Sequence, residues 1–187
     1  MRIISGNFKK KKILAPKDSK TRPLKDLTKE SIFNIIQHSN KFRVEINNSN
    51  ILDLFSGVGS FGIECLSRNA SFVTFVENYK EVLIILKKNI TSLNGVTNYS
   101  IIEKDVFNEL KFSFLDIKFD IIFMDPPYKE KNLNELLKKI FKSNILNKNG
   151  IIIIHRHEKE DDNFPKIFSV IEEKKYGISK IIFGNYL

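Results

Sequence analysis

The sequence predicts an α/β domain built on a doubly wound, mostly parallel sheet of seven strands, preceded by a basic β-hairpin extension. Three observations carry this expectation. Between residues 51 and 155, short apolar runs rich in Ile, Val and Phe alternate with amphipathic helical patterns, as in βαβ units whose parallel sheet is covered on both faces. A glycine-rich turn at residues 53–62 joins the first of these runs to a helical pattern. The charge is lopsided: residues 1–30 carry ten Lys/Arg and three acids, a balance of +7 out of +9 for the whole chain. With 187 residues and 42% hydrophobic content, the chain can bury a substantial core as one domain. We divide it into a basic extension over residues 1–22 and a main domain over 23–187.

In chain order, residues 2–5 and 12–15 are short β-like runs flanking Gly6-Asn7-Phe8 and the Lys9, Lys10, Lys11, Lys12 tetrad, a hairpin that would display its charges. Thr21-Arg22-Pro23 ends the arm. Proline keeps the preceding residue extended, so Arg22 stands at the entrance to the next element rather than inside a helix. Leu27, Ile32, Phe33, Ile35 and Ile36 then fall mostly on one face of a helix over 25–38. After an Asn-rich loop at 47–50, strands are expected at 51–55, 71–76, 99–103, 119–124 and 151–155, with helices at 60–68, 80–93 and 133–141. Residues 166–172 and 178–183, around Tyr176-Gly177, read as an antiparallel pair closing the sheet edge.

Cys65 is the single cysteine, which excludes an internal disulfide and a cysteine zinc cluster and suits a reducing compartment, with cytoplasm the default. The first residues carry no apolar run of signal-peptide type, and no apolar stretch approaches the ~20 residues that span a bilayer, so neither leader nor membrane helix is expected. Clustered Lys/Arg neutralise phosphates with release of counterions, so the arm, with Arg2, Lys9–Lys12 and Arg22, is expected to contact nucleic acid. A coding bias toward lysine would explain the richness but not its asymmetry.

Ligands of doubly wound sheets bind at the carboxyl ends of the strands. Four such ends carry chemistry here. Asp53 opens the turn that runs through Phe55, Ser56, Gly57 and Gly59, and its carboxylate can accept from a cationic amine or orient the loop. Glu77 follows Gly59 by 18 residues, near the ~20-residue spacing at which an acid meets a ribose diol. Asp105 is placed to meet an exocyclic amine of adenine. Singly, each has an ordinary structural explanation, Glu77 most often as a helix cap. A classical NAD site would not explain the fourth end, Asp125-Pro126-Pro127-Tyr128.

Two prolines after a buried strand fix the backbone, remove two amide donors and leave directed carbonyl acceptors. Tyr128 supplies a flat face for a base. An amino group on a heteroaromatic ring is a poor nucleophile because its lone pair is delocalised. Acceptors from Asp125 and the Pro126 carbonyl would bind its two hydrogens and favour a pyramidal nitrogen as the transition state develops. Asp125 can then take up the proton released.

Arg2-Ile3-Ile4-Ser5-Gly6, Thr21-Arg22-Pro23, Glu30 through Phe33-Asn34-Ile35, Asp53 through Gly59, Ser67 through Ala70, Phe75-Val76-Glu77, Asp105-Val106-Phe107 and Asp125–Tyr128 together carry a resemblance that covers essentially the whole chain. It resembles class I S-adenosylmethionine-dependent methyltransferases, which are Rossmann-like, with the D/N-PP-Y signature of enzymes that methylate exocyclic amines of nucleobases. More closely, it is similar to the bacterial small-subunit (16S) ribosomal RNA guanine-N2 methyltransferase family. The N-terminal blocks make the distinction, since adenine-N6 DNA methyltransferases share only the glycine turn and Asp-Pro-Pro-Tyr. The resemblance implies that Asp53, Gly57 and Gly59 hold the methionine part of S-adenosyl-L-methionine, Glu77 the ribose, and Asp105 with Val106 the adenine, with Phe55 and Ser56 also among the cofactor-binding residues. It implies that Asp125, Pro126, Pro127 and Tyr128 hold the target guanine, unpaired or flipped out, and that the partner is ribosomal RNA in the assembling or assembled small subunit. A monomer is expected.

Two other functions are kept open at this stage, an adenine-N6 or other amino methyltransferase on DNA or another RNA, and a nucleic-acid-binding module that retains the fold without catalysis. The family usually has glycine where Lys10 stands, a polar residue at Leu24, arginine at Leu27 and often an acid near His155. His155 and His157 share a strand face, but two histidines without a third ligand are read as incidental, and no metal is expected.

Overall fold

In the computed structural model, residues 1–16, 24–127 and 130–187 are described. The elements are α1 (Asp26–His38), β1 (Asn50–Leu54), α2 (Ser60–Ser67), β2 (Phe72–Val76), α3 (Lys80–Thr91), β3 (Tyr99–Ile102), a single 3-10 turn at Phe112–Phe114, β4 (Phe119–Met124), α4 (Leu133–Lys142), β5 (Leu146–His157), β6 (Phe168–Tyr176) and β7 (Ser179–Tyr186). They form one seven-stranded sheet in the order β3-β2-β1-β4-β5-β7-β6. β1 to β5 run parallel, and β7 inserts antiparallel between β5 and the edge strand β6. The strand order reverses between β1 and β4, whose last residues Leu54 and Met124 are in register. A crevice at the carboxyl ends of the strands is the consequence.

Alternation along the central strands divides the core in two. Ile51, Ile121, Phe123, Ile151, Ile153, Ile181 and Phe183 face α1, α2 and α3, while Leu52, Leu54, Ile122, Met124, Ile152, Ile154 and Ile182 face α4. That is why the strand sequences read as nearly unbroken apolar runs, since both faces are buried. On the first face Phe61 is stacked between Phe33, at 5.1 Å, and Phe123, at 4.1 Å between ring centroids. On the second, α4 buries Leu133, Leu136, Leu137 and Ile140, one stripe at helical spacing.

The last three strands depart most from the sequence expectation, the other elements by two residues or fewer at either end. β5 begins at Leu146 rather than 151, because Leu146 pairs with Phe119 and the Asn147 amide donates to Asp120 at 2.6 Å. Turn chemistry in Asn147-Lys148-Asn149-Gly150 is overridden there by the neighbouring strand. β6 and β7 likewise run on to Tyr176 and Tyr186, paired with each other along their length. The expected N-terminal hairpin reduces to one isolated antiparallel bridge, Arg2 with Lys12, supported by the Ile3 N–H to the Lys11 carbonyl at 2.9 Å and the Lys10 N–H to the Ile3 carbonyl at 2.8 Å.

The reason lies in α2, which takes the amides of Ile4, Ser5, Asn7 and Phe8. Glu64, fully buried, accepts from the N–H groups of Ile4 at 2.7 Å and Ser5 at 2.9 Å. Ser67 takes the Asn7 N–H on its carbonyl and the Phe8 N–H on its hydroxyl. Gly6, at φ +81°, lies so close that a Cβ would sit 1.8 Å from the Ser67 carbonyl oxygen. Ile3 and Ile13 join the core on this face. The arm is thus a docked strap rather than a free hairpin. Lys10, where the resembled family has glycine, adopts φ +73°, a conformation glycine takes without strain.

Candidate active site

β1 delivers Asp53 and Leu54 to the crevice, and the chain then turns through positive φ at Phe55 (58°), Gly57 (55°) and Gly59 (84°) before α2 begins. For Phe55 this is a costly conformation, held because Ser56 is tied by its N–H to the Val76 carbonyl at 3.0 Å. Gly59 must lack a side chain, since a Cβ would lie 2.5 Å from Leu86, whereas the corresponding space at Gly57 is open. The turn therefore presents bare backbone to the crevice at Gly57. Asp53, almost wholly buried, accepts the Gly62 N–H on Oδ2 at 2.9 Å, and its Oδ1 has no hydrogen-bond partner among the described residues. Burial pushes its carboxyl well above the usual range, against the Gly62 hydrogen bond and with the charges of Asp125 and Glu77 adding to the rise. A buried carboxylate oxygen left unpaired beside a glycine turn is an acceptor in want of a cationic donor.

Glu77, just past β2, accepts the Gly57 N–H at 2.8 Å on one oxygen and the Asn78 and Tyr79 N–H groups at 2.9 Å on the other. It therefore both props the glycine turn and caps the approach to α3. Asp105, beyond β3, accepts from the Phe107 and Asn108 N–H groups at 3.0 and 2.8 Å and from the Asn78 amide at 2.9 Å. That last bond ties the loops after β2 and β3 together. Val106 is buried, and the rings of Phe55 and Phe107 meet at 5.4 Å. These bonds leave Glu77 and Asp105 as fixed, partly exposed carboxylates on the crevice rim.

Asp125 ends β4 beside the turn, its N–H on the Leu54 carbonyl at 3.4 Å. Pro126 is buried and Pro127 exposed. Tyr128 lies outside the described residues, as does Arg22. Two residues that the sequence reading left without a role hold this segment from β5. His155 places Nδ1 at 2.8 Å from Asp125 Oδ1. Arg156, buried, donates from Nη1 to the Pro127 carbonyl at 3.2 Å and from Nη2 to the Glu130 carbonyl at 3.0 Å, while Nε is held by Asp162 at 2.9 Å. The Pro127 carbonyl is thereby engaged by the protein, which separates its role from that of the Pro126 carbonyl. An arginine two residues after four isoleucines was the available signal, because a charge continuing a buried strand needs fixed partners.

Among the described basic residues, Arg2, Lys9, Lys10 and Lys12 are exposed, and the Lys11 ammonium donates to the Ser92 carbonyl. The strap carrying them connects to the glycine turn through Asn89 of α3. Buried, Asn89 accepts the Leu14 N–H at 2.8 Å and donates to the carbonyls of Leu14 at 3.1 Å and Val58 at 3.0 Å. No cluster of three metal-ligating side chains occurs among the described residues, and no helix in them is long and apolar enough to cross a membrane.

The family model described as "Conserved hypothetical protein 95" matches residues 1–185. The ribosomal RNA small subunit methyltransferase D of Buchnera aphidicola subsp. Acyrthosiphon pisum is 34% identical over 172 residues, 92% of this chain and 86% of that protein. Its counterpart of the same name from Haemophilus influenzae is 31% identical, covering 95% of this chain and 90% of its own. Among solved structures, yhhF from Escherichia coli superposes with a TM-score of 0.79 at 26% identity, covering 100% of this chain and 97% of its own.

Proposed function

This chain belongs to the Conserved hypothetical protein 95 family, together with the ribosomal RNA small subunit methyltransferase D proteins, and on that premise we propose that it transfers a methyl group from S-adenosylmethionine to the N2 amine of a guanine in small-subunit ribosomal RNA. That the protein is a methyltransferase of ribosomal RNA follows the family. The choice of an exocyclic amine rests on one observation above the others, the position of Asp125 at the β1–β4 switch point, its N–H on the Leu54 carbonyl, beside the turn that Asp53 opens with its unpaired oxygen.

The residues present fit the methyl donor. Asp53 Oδ1 is the natural acceptor for its ammonium group, the backbone at Gly57 leaves room for its methionine part, and the Phe55–Phe107 pair with Val106 offers an apolar seat for its adenine. Glu77 would take the ribose hydroxyls and Asp105 the adenine amine, each with an oxygen already oriented by backbone donors. When bound, S-adenosylmethionine supplies a methyl group made electrophilic by its sulfonium. Asp125 and the Pro126 carbonyl accept the two N–H hydrogens of the guanine amine, hold its lone pair in line and turn it out of the ring plane. Asp125 then receives the proton released on alkylation. Pro127, whose carbonyl is held by Arg156, keeps the turn rigid, and Tyr128 supplies the stacking face.

Arg2, Lys9, Lys10, Lys11, Lys12 and Arg22 would neutralise RNA phosphates. The extension over residues 1–22 is then the RNA-contacting part of a unit completed by the domain over 23–187, acting as a monomer on the small subunit. Mass spectrometry of nucleosides from small-subunit particles incubated with protein and labelled S-adenosylmethionine tests the reaction: N2-methylguanosine is expected, and N6-methyladenosine instead would refute the choice of base.

A further inference from the structure

His155 lies at the carboxyl end of β5, 4% exposed, with Nδ1 at 2.8 Å from Asp125 Oδ1 and Nε2 at 2.9 Å from Ser179 Oγ. An ionised carboxylate can only accept, so Nδ1 carries the hydrogen of that bond. In the neutral ring Nε2 must then accept from the Ser179 hydroxyl, and the tautomer is set from two strands, by Asp125 of β4 and Ser179 of β7. The torsion that rotates a carboxylate about its own axis is broad, so an aspartate at a strand end does not orient itself. A buried imidazole N–H on one oxygen fixes the plane and so directs the other. Among the described residues, Asp53 of β1 is coupled to this cluster, its carboxyl pushed up by burial first and by Asp125 in part. An N–H donor at Asp125 offsets that repulsion between two acids serving the same crevice.

We propose that His155 is the positioning residue of Asp125: it holds Oδ1 so that the second carboxylate oxygen stays turned toward the target amine, with Ser179 selecting the tautomer that makes this possible. His155 gives up and receives no proton in the reaction, and the proton leaving the amine stays with Asp125. The inference rests on the reading of Asp125 as the residue that receives the amine.

The test uses the full chain, S-adenosylmethionine and small-subunit particles, with His155→Leu, His155→Asn and Asp125→Ala compared. His155→Asn keeps an N–H near the Nδ1 position. His155→Leu is expected to lower kcat about tenfold or more while the Kd for S-adenosylmethionine stays within about twofold, and His155→Asn to recover most of the loss. An unchanged kcat in His155→Leu, a loss confined to cofactor affinity, or an asparagine variant no better than leucine overturns the proposal. Should His155→Leu not fold, His155→Ala takes its place in the same comparison with His155→Asn, with the same supporting and overturning outcomes. Histidine-selective ¹⁵N spectra of the parent, simplified by its 3 histidines, are expected to show a protonated Nδ1 at His155; a bare Nδ1 refutes the assignment. Full activity in Asp125→Ala would remove the underlying reading, whereas an inactive Asp125→Ala beside a fully active His155→Leu would remove the positioning role only.

Discussion

Replacing Glu64 by leucine is expected to undock the N-terminal strap and cost a large part of the protein's stability. Glu64 is fully buried, accepts the N–H groups of Ile4 and Ser5 at 2.7 and 2.9 Å, lies 3.6 Å from the equally buried Lys29 ammonium and pairs with Arg68 at 3.0 Å. Burial already lowers the Lys29 pKa, against the pull of Glu64 and Asp26, so without Glu64 the ammonium keeps its bond to the Arg2 carbonyl at 2.7 Å but loses its nearest counter-charge. Removing one partner of a buried pair costs about 3–5 kcal/mol, against a total stability of about 5–15 kcal/mol. Arg68 is less affected, because its guanidinium also rests on the Phe33 ring at 4.4 Å and is partly exposed. In Lys29→Met/Glu64→Leu no buried ammonium is stranded, and what remains lost is chiefly the two amide bonds and the bond from Lys29 to the Arg2 carbonyl, about 1 kcal/mol each. Urea unfolding of parent, single and double variants, with limited proteolysis of residues 1–16, reads this directly. A Glu64→Leu loss below about 1 kcal/mol, or a double variant no more stable than the single, would refute the reasoning.

The Asp53 carboxyl is raised by burial, so the folded state holds its proton more tightly than the unfolded chain. Its contribution is present below the ordinary carboxylate value of about 4 and is lost as pH rises from there through the folded value. Asp53→Asn should flatten that pH slope in denaturation midpoints while weakening S-adenosylmethionine binding in calorimetry, and equal slopes would count against it. Asp125→Ala should abolish methyl transfer with cofactor affinity nearly unchanged, measured by filter assay and calorimetry; unimpaired turnover sinks the mechanism. Changing Lys9, Lys10 and Lys12 to alanine, all exposed, should weaken RNA binding and reduce the slope of log K against log salt by up to about 2–3, and an unaltered slope refutes their phosphate contacts. Gly62→Ala should destabilise the turn, since its Cβ would lie 2.3 Å from the Phe75 ring and 2.9 Å from Asp53 Oδ2, and a melting temperature equal to the parent's would show that the site relaxes.

Periodicity and turn chemistry made the sheet legible without coordinates. The isoleucine and phenylalanine runs of β1, β4 and β5 are buried on both faces, and such burial writes itself into composition. The glycines at 57 and 59 announced a turn because no other residue takes those conformations so readily. The prolines after Asp125 announced a rigid strand end for a similar local reason. What stayed hidden depends on residues far apart in the chain. Lys9–Lys12 read as the displayed charges of a hairpin, and nothing local announced that the strap is held through Ile4 and Ser5 by Glu64, some 60 residues on. His155 read as incidental because nothing within its own strand reveals that β4 brings Asp125 to 2.8 Å and β7 brings Ser179 to 2.9 Å. Arg156 was in the same position, its partners lying in the loop after β4 and at Asp162. Local sequence determined which segments are strands and where the backbone must bend; only the packing of parallel strands side by side decided which side chains orient the carboxylate that the reaction requires.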